Sequence, residues 1–113
     1  QIEYLRRISP QSKILFIGPS DMSTNINGSM QTYPHLEKLI NSLRQMCLNN
    51  DVAYWDLYGA MGGENSMTKW VNSNPPLAGS DHIHFTYAGS NRASEMLWDG
   101  LMQAYQLYKT KEQ

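Results

Sequence analysis

A strand–helix–strand succession constrains the fold of this 113-residue chain more than any other feature. Lys13–Ile17 is an apolar run rich in β-branched and aromatic residues, closed by Gly18-Pro19, and it predicts a strand buried on both faces of a parallel sheet. Val52–Leu57 predicts a second strand. The helix between them is predicted to start near Pro34 and to end at Asn49-Asn50-Asp51, with an apolar stripe of Leu36, Leu39, Ile40, Leu43 and Cys47. Such a unit forms a right-handed crossover with parallel strands.

The other segments are predicted to be helices and loops. Gln1–Ser9 has the spacing of a helix tail, and Pro19–Tyr33, rich in Ser, Asp, Asn, Gly and Thr, is predicted to be a long loop of the kind that is often functional. Gly59–Gly79 is predicted to be irregular, with a short helix at Ser66–Val71. A final helix is predicted from the N-cap Thr86 to about Tyr108, and its apolar face comprises Ala93, Met96, Leu97, Leu101, Ala104, Tyr105 and Tyr108.

Two strands and three helices are few for an independent doubly wound sheet, because a lone parallel pair leaves its edges exposed. The chain also opens inside a predicted helix at Gln1. We therefore expect residues 1–113 to be a part of a larger α/β domain. The missing strands are expected from an N-terminal half or from another chain, and the isolated piece is expected to self-associate.

Composition excludes several classes of function. Hydrophobic residues make up 41% of the chain and charged residues 17%, which is typical of a folded globular protein. The formal net charge of -1 argues against a nucleic-acid partner. The longest apolar run, Ile14–Ile17, predicts no membrane span, and the opening residues predict no signal peptide. Cys47 has no second cysteine to pair with and is predicted to be a small buried hydrophobe, so cysteine usage leaves the compartment undecided.

The segment Asp81-His82-Ile83-His84 carries the candidate chemistry. It precedes the last helix, on a loop at the carboxyl end of the sheet, where ligands bind in α/β folds. A histidine there can act as general base towards a serine hydroxyl while an aspartate fixes its tautomer, and a spacing of three lets one turn of backbone place Asp81 and His84 side by side. In the alternative interpretation Asp81 caps a turn and a backbone carbonyl satisfies a partly buried His84. His82 is expected to point to the opposite side.

A metal site is a competing interpretation of the same segment, since Asp81, His82 and His84 place three ligand types within four residues. In an extended segment His82 and His84 would face apart, and no cysteine or further histidine lies nearby. We therefore predict no metal here.

The order of motifs resembles the C-terminal half of the GDSL-type, or SGNH, hydrolases. A strand ends in Gly-Pro-Ser-Asp-Met-Ser, a second strand ends in Trp-Asp-Leu-Tyr, and a Gly-Gly loop leads to Asp-His-Ile-His-Phe-Thr-Tyr-Ala-Gly and a closing helix. The family's last block is D-x-x-H followed by a small or hydroxyl residue, matched here by Asp81, His84 and Thr86. The resemblance extends over about Lys13–Tyr108.

This resemblance implies that residues 1–113 are the C-terminal part of a single SGNH-hydrolase-like domain. It also implies a flavodoxin-like three-layer fold whose sheet has about five parallel strands, the two strands here being the fourth and fifth. It implies a serine esterase acting on acyl esters of a carbohydrate or glycan, with His84 as general base and then acid, Asp81 as its partner, and no cofactor. The family's Gly-Asp-Ser-Leu block and oxyanion residues have no counterpart in this sequence. The chain alone is therefore expected to lack the nucleophile.

Four further residues are predicted to line the substrate pocket: Ser20, Asp21, Met22 and Trp70. Ser20 is also an alternative nucleophile, because the sequence around it resembles a strand running into Gly-Asp-Ser. Only one strand is predicted between Ser20 and His84, which disfavours that role. The loop Gly62–Gly79 resembles that of glycan- or peptidoglycan-directed family members, although Trp70 could equally pack the loop down.

A non-catalytic half-domain that binds a partner chain or a glycan is the alternative function. The enzyme interpretation requires a Gly-Asp-Ser block upstream in the gene, whereas the module interpretation requires a natural start near Gln1. The expected partners are an acyl-ester or glycan substrate and either an N-terminal half of the same domain or a second copy. A secreted or periplasmic location of the parent protein is implied by the family resemblance alone.

Overall fold

The structure is a computed structural model that describes residues 1–112. The chain is of the α/β class, as predicted, and its helices outnumber its short strands. In chain order the elements are α1 (Ile2–Ile8), β1 (Leu15–Ile17), β2 (Ser23–Ile26), β3 (Ser29–Thr32), α2 (Leu36–Asn49), β4 (Ala53–Trp55), α3 (Leu57–Met61), α4 (Ser66–Val71) and α5 (Tyr87–Lys111).

The predicted parallel pairing of two strands with a helix between them is confirmed. Strands β1 and β4 pair in parallel, with Leu15 opposite Ala53 and Ile17 opposite Trp55, and α2 connects them. The prediction that β1 is buried on both faces is wrong, because Leu15 and Ile17 are 41% and 50% exposed. In the part of the chain that the structure describes, β1 pairs with β4 alone, so its other edge has no strand beside it.

The predicted long loop after β1 is instead a β-hairpin. Strands β2 and β3 pair antiparallel from Ser23 opposite Thr32 to Ile26 opposite Ser29. Asn27 and Gly28 form the turn at φ 51° and 89°, and Asn-Gly is a strong signal for such a two-residue turn. The hairpin was not predicted because its strands are short and polar, without the apolar alternation that marks a half-buried strand.

Two predicted boundaries shift for local reasons. Helix α2 starts at Leu36, two residues after Pro34, because His35 adopts a left-handed conformation with φ 67°. The second strand ends at Trp55 and not at Leu57, since Asp56 caps α3 by accepting a hydrogen bond from the Gly59 amide. Cys47 is buried, as predicted.

The main core lies between α3, α4 and α5. Its buried members are Leu57, Met61, Met67, Trp70 and Ala78, against which the partly buried Trp55, Phe85, Ala93 and Met96 pack. A second cluster joins Leu36, Ile40 and Tyr58 under α2. The predicted start of α5 is confirmed: the Thr86 hydroxyl caps the helix by accepting from the Gly89 amide. Its predicted apolar face is packed only in the first half, because Leu101, Tyr105 and Tyr108 are exposed.

No helix in residues 1–112 combines the length and the apolar character needed to cross a membrane.

Candidate active site

Backbone hydrogen bonds close residues 79–84 into a short loop, which we call the Asp–His loop. Ala78 and Phe85 form an antiparallel bridge, and the Gly79 amide donates to the His84 carbonyl at 2.8 Å. Inside the loop, the His82 amide donates to the Gly79 carbonyl at 3.0 Å. The residues that flank the loop are packed in the core. Ala78 is buried, and the ring centroids of Phe85 and Trp70 lie 5.2 Å apart. The two ends of the loop are therefore fixed, whereas Asp81, Ile83 and His84 within it are exposed.

Asp81 and His84 form the predicted side-chain pair. Asp81 Oδ2 lies 2.7 Å from His84 Nδ1, and Asp81 Oδ1 accepts from the amides of Ile83 at 3.0 Å and His84 at 3.1 Å. Because a carboxylate is an acceptor, this contact places the proton on Nδ1 of the neutral ring and leaves Nε2 as the basic nitrogen. The His84 side chain is 81% exposed, against 50% for Asp81. The basic nitrogen therefore belongs to a ring on the open surface, where a second group can approach it.

The carboxyl of Asp81 is held in its ionised form. The hydrogen bond with the His84 side chain, followed by those from the backbone amides of His84 and Ile83, lowers the pKa of Asp81 to about 2. The carboxylate is consequently charged throughout the neutral range. It can stabilise a positive charge that develops on the imidazole.

His82 differs from His84 in both burial and contacts. It adopts a left-handed conformation with φ 58°, and its side chain is half-buried, whereas that of His84 is exposed. Its carbonyl accepts a 3.0 Å hydrogen bond from the Ser23 amide at the start of β2. The Asp–His loop is thereby tied to the segment that follows β1. In residues 1–112, no three His, Cys, Asp or Glu side chains cluster closely enough to hold a metal ion.

The four predicted pocket residues lie in different environments. Asp21 is fully buried, and its carboxylate oxygens accept from Thr32 Oγ1 and from the Met67 amide, each at 2.8 Å. Trp70 is 7% exposed and donates from Nε1 to the Met61 carbonyl. Both side chains therefore connect elements of the fold, Asp21 reaching β3 and α4 and Trp70 reaching α3, and they offer a substrate little or no surface. Met22 is half-buried against the α2 cluster, and Ser20 is half-buried after β1.

Sequence reasoning missed the partners of Asp21. Thr32 and Asn65 bond reciprocally: the Asn65 amide donates to Thr32 Oγ1 at 2.7 Å, and the Thr32 amide donates to Asn65 Oδ1 at 3.1 Å. The Asn27-Gly28 turn is the signal that could have found them, because a hairpin there returns Thr32 to the neighbourhood of Asp21. In residues 1–112, the His84 ring is hydrogen-bonded to Asp81 and to no serine hydroxyl, Ser20 included.

Comparison with known proteins gives one informative result. No protein-family model matches the chain, and no curated protein matches it significantly. A solved structure described as "Peptidoglycan O-acetylesterase in action, 5 min" matches with a TM-score of 0.81 and 28% sequence identity. The match covers 93% of this chain and 30% of that one, so the chain spans less than a third of the esterase's length. Almost the whole chain is therefore similar in structure and sequence to a part of an ester hydrolase.

Proposed function

We propose that this chain supplies the histidine and the aspartate of a serine ester hydrolase. The observation that carries the proposal is the 2.7 Å contact between Asp81 Oδ2 and His84 Nδ1, made by a histidine ring that is 81% exposed. The position of the pair supports it further, since the Ser23–His82 hydrogen bond joins the Asp–His loop to the segment that follows β1, near the carboxyl end of the parallel strands.

In the proposed reaction His84 first acts as a base. Nε2 takes the proton from a serine Oγ as that oxygen attacks the ester carbonyl carbon, and the carbonyl π electrons move to the oxygen. When the tetrahedral intermediate collapses, the bond to the leaving oxygen breaks and the imidazolium gives its proton to the departing alcohol. Water then attacks the acyl-serine by the same route, releasing the carboxylic acid and restoring the serine. Asp81 stays ionised and keeps the Nδ1 proton in place throughout.

The nucleophilic serine, in this proposal, lies on a segment outside residues 1–113. The surface of β1 supports such a partner, because Leu15 and Ile17 are exposed and its free edge could pair with a further strand. An N-terminal half of the same domain or a second copy of the chain would cover this surface. The completed domain would then have the SGNH-type, flavodoxin-like layering that the sequence resembles.

The proposed substrate is an O-acetyl or another short acyl ester on a glycan, with peptidoglycan as the first to test. The similarity to a peptidoglycan O-acetylesterase supports this class of substrate. Ser20 and Met22 retain partly exposed side chains and are the residues we propose for the pocket wall. Asp21 and Trp70 would support that wall from behind, because they are buried. A secreted or periplasmic location would bring the protein to such a substrate.

Acetate release tests the proposal. The protein as its gene encodes it should release acetate from O-acetylated peptidoglycan and none from the same material after mild alkaline removal of its acetyl groups. The isolated 113-residue chain should release none, because the imidazole has no serine to activate. Failure of the gene-encoded protein on both peptidoglycan and p-nitrophenyl acetate would exclude the hydrolase. Hydrolysis by the isolated chain that His84→Ala abolishes would place a nucleophile within it, with Ser20 the first to substitute.

A non-catalytic binding module is the second candidate, and the exposed apolar residues of β1 and α5 favour it. Trp98, Leu101 and Tyr105 extend an exposed stripe along α5. Both candidates need a partner for these surfaces. Acetate release separates them, because a binding module would retain its partner and hydrolyse nothing.

A further inference from the structure

Asp21 is a carboxylate enclosed inside the chain and paired with no basic side chain of residues 1–112. Its exposure is 0%, and in residues 1–112 no lysine, arginine or histidine forms an ion pair with it. Burial of a carboxylate costs free energy, which hydrogen bonds offset only in part, and an apolar side chain of similar size could fill the same space. Packing alone therefore does not account for a carboxylate here, and the geometry of its hydrogen bonds is the feature to explain.

The two hydrogen bonds of Asp21 come from two different elements. Thr32 Oγ1 belongs to the end of β3, and the Met67 amide belongs to the first turn of α4, while Asp21 itself follows β1. The reciprocal bonds between Thr32 and Asn65 join the same two elements a second time. One carboxylate thus fixes where the hairpin and α4 lie relative to the end of β1.

The segment that Asp21 opens also carries the contact to the Asp–His loop. Two residues on, the Ser23 amide donates to the His82 carbonyl at 3.0 Å, and the Met22 carbonyl between them accepts from the Tyr33 amide at 3.0 Å. These bonds hold residues 21–23 between the Asp–His loop and the residue that follows β3. A displacement of Asp21 would therefore shift the Ser23 amide and release the His82 carbonyl, which lies between Asp81 and His84 in the chain.

We propose that Asp21 is a positioning residue for the Asp81–His84 pair, acting through Ser23 and His82. This inference rests on the proposed function, since it assigns Asp21 to the presentation of the proposed base. It differs from a direct role in substrate contact, which the complete burial of Asp21 disfavours. Loss of the carboxylate should loosen the Asp–His loop even when the rest of the chain stays folded.

Nuclear magnetic resonance on the protein as its gene encodes it tests the inference without any need for hydrolysis. Two quantities are measured at a pH where His84 is neutral: the exchange rate of the Ser23 amide hydrogen, and the tautomer of His84 from its ring nitrogen shifts. In Asp21→Asn the Ser23 amide should exchange about tenfold faster, as for loss of one ordinary hydrogen bond. The His84 proton should move from Nδ1 towards Nε2, as in an imidazole without an aspartate partner.

The matched control is Cys47→Ala, which changes a fully buried side chain on α2, outside the Asp21 contacts. It should lower the melting temperature and leave both readouts unchanged.

If Asp21→Asn does not fold, Thr32→Val removes the hydroxyl that bonds Asp21 while keeping side-chain volume, and it should produce the same two changes. Wild-type exchange and tautomer in whichever of these two variants folds would overturn the inference, as would equal changes in Cys47→Ala. If both NMR readouts change as expected but the protein hydrolyses no ester, the result contradicts the proposed hydrolase activity and leaves the positioning role of Asp21 standing.

Discussion

At the scale of single residues, the candidate site depends on the hydrogen bonds made by both carboxylate oxygens of Asp81. One oxygen holds the ring of His84, and the other holds the backbone amides of Ile83 and His84. The carboxylate that contacts the His84 ring therefore also stabilises the backbone turn between Asp81 and His84. Because the pair is only three residues apart, its geometry could be predicted from the sequence, whereas the burial of Asp21 depends on Thr32 and Met67, which are distant in the chain.

The pH dependence of the pair follows from the lowered pKa of Asp81. A group whose pKa is lower in the folded chain contributes stability above its usual pKa, and it loses that contribution as the pH falls through the folded value. We therefore expect the Asp81 carboxyl carbon to titrate near pH 2, with the contact to His84 intact at pH 4 and above. In His84→Ala the midpoint should rise towards 3.8, because the largest cause of the shift is gone. An unchanged midpoint in that variant would refute the pairing.

At the scale of elements, the helices with a regular apolar repeat could be predicted, whereas the shortest elements could not. The spacing of apolar residues predicted α1, α2 and α5, and Gly18-Pro19 predicted the end of β1. The polar hairpin β2–β3 was missed because its strands lack an apolar alternation. Helix α3 was missed because its five residues are too few to set Leu57 and Met61 apart from the apolar run of the preceding strand. The exposure of β1 could not be predicted, since the burial of a strand depends on elements distant in sequence or outside the chain.

Helix α5 meets the base of the Asp–His loop at Gly89, and this contact can be tested by substitution. A Cβ at Gly89 would overlap the carbonyl oxygen of Leu77, a backbone atom that cannot rotate away. Gly89→Ala should therefore destabilise the chain by about 1–3 kcal/mol, as for overpacking in a filled interior, despite the better helix propensity of alanine. Ser90→Ala, on the exposed next position of the same helix, is the control and should change the free energy of unfolding by less than about 0.5 kcal/mol. Urea unfolding measures both, and equal stabilities would contradict the close approach.

At the scale of the whole molecule, the chain is more extended than a closed domain of its length. Its radius of gyration is 16.4 Å, whereas about 13 Å is typical for a compact domain of this size. Its longest dimension is 50 Å, and Leu101, Tyr105 and Tyr108 in the second half of α5 are exposed. Together with the exposed side chains of β1, this shape suits a piece that completes a larger α/β body.

The exposed edge of β1 predicts self-association of the isolated chain. Size-exclusion chromatography across a concentration series should show species larger than a monomer, because Leu15 and Ile17 present an unpaired apolar strand. Ile17→Lys should shift the population towards monomer, since a charged edge disfavours strand pairing. Leu48→Lys, at an exposed position on α2, is the control and should leave the distribution unchanged. A dilute, thermally stable monomer in the wild type would count against an incomplete domain.

The most direct test of the central claim is kcat for p-nitrophenyl acetate, measured on the protein as its gene encodes it, in wild type, His84→Ala and His35→Asn. His35 is an exposed histidine outside the Asp–His loop, and asparagine tolerates its left-handed backbone. We predict that His84→Ala lowers kcat by roughly 10²–10⁴-fold, the usual contribution of a general acid–base group, while His35→Asn stays near wild type. Wild-type kcat in His84→Ala would contradict the assignment of His84 as the base.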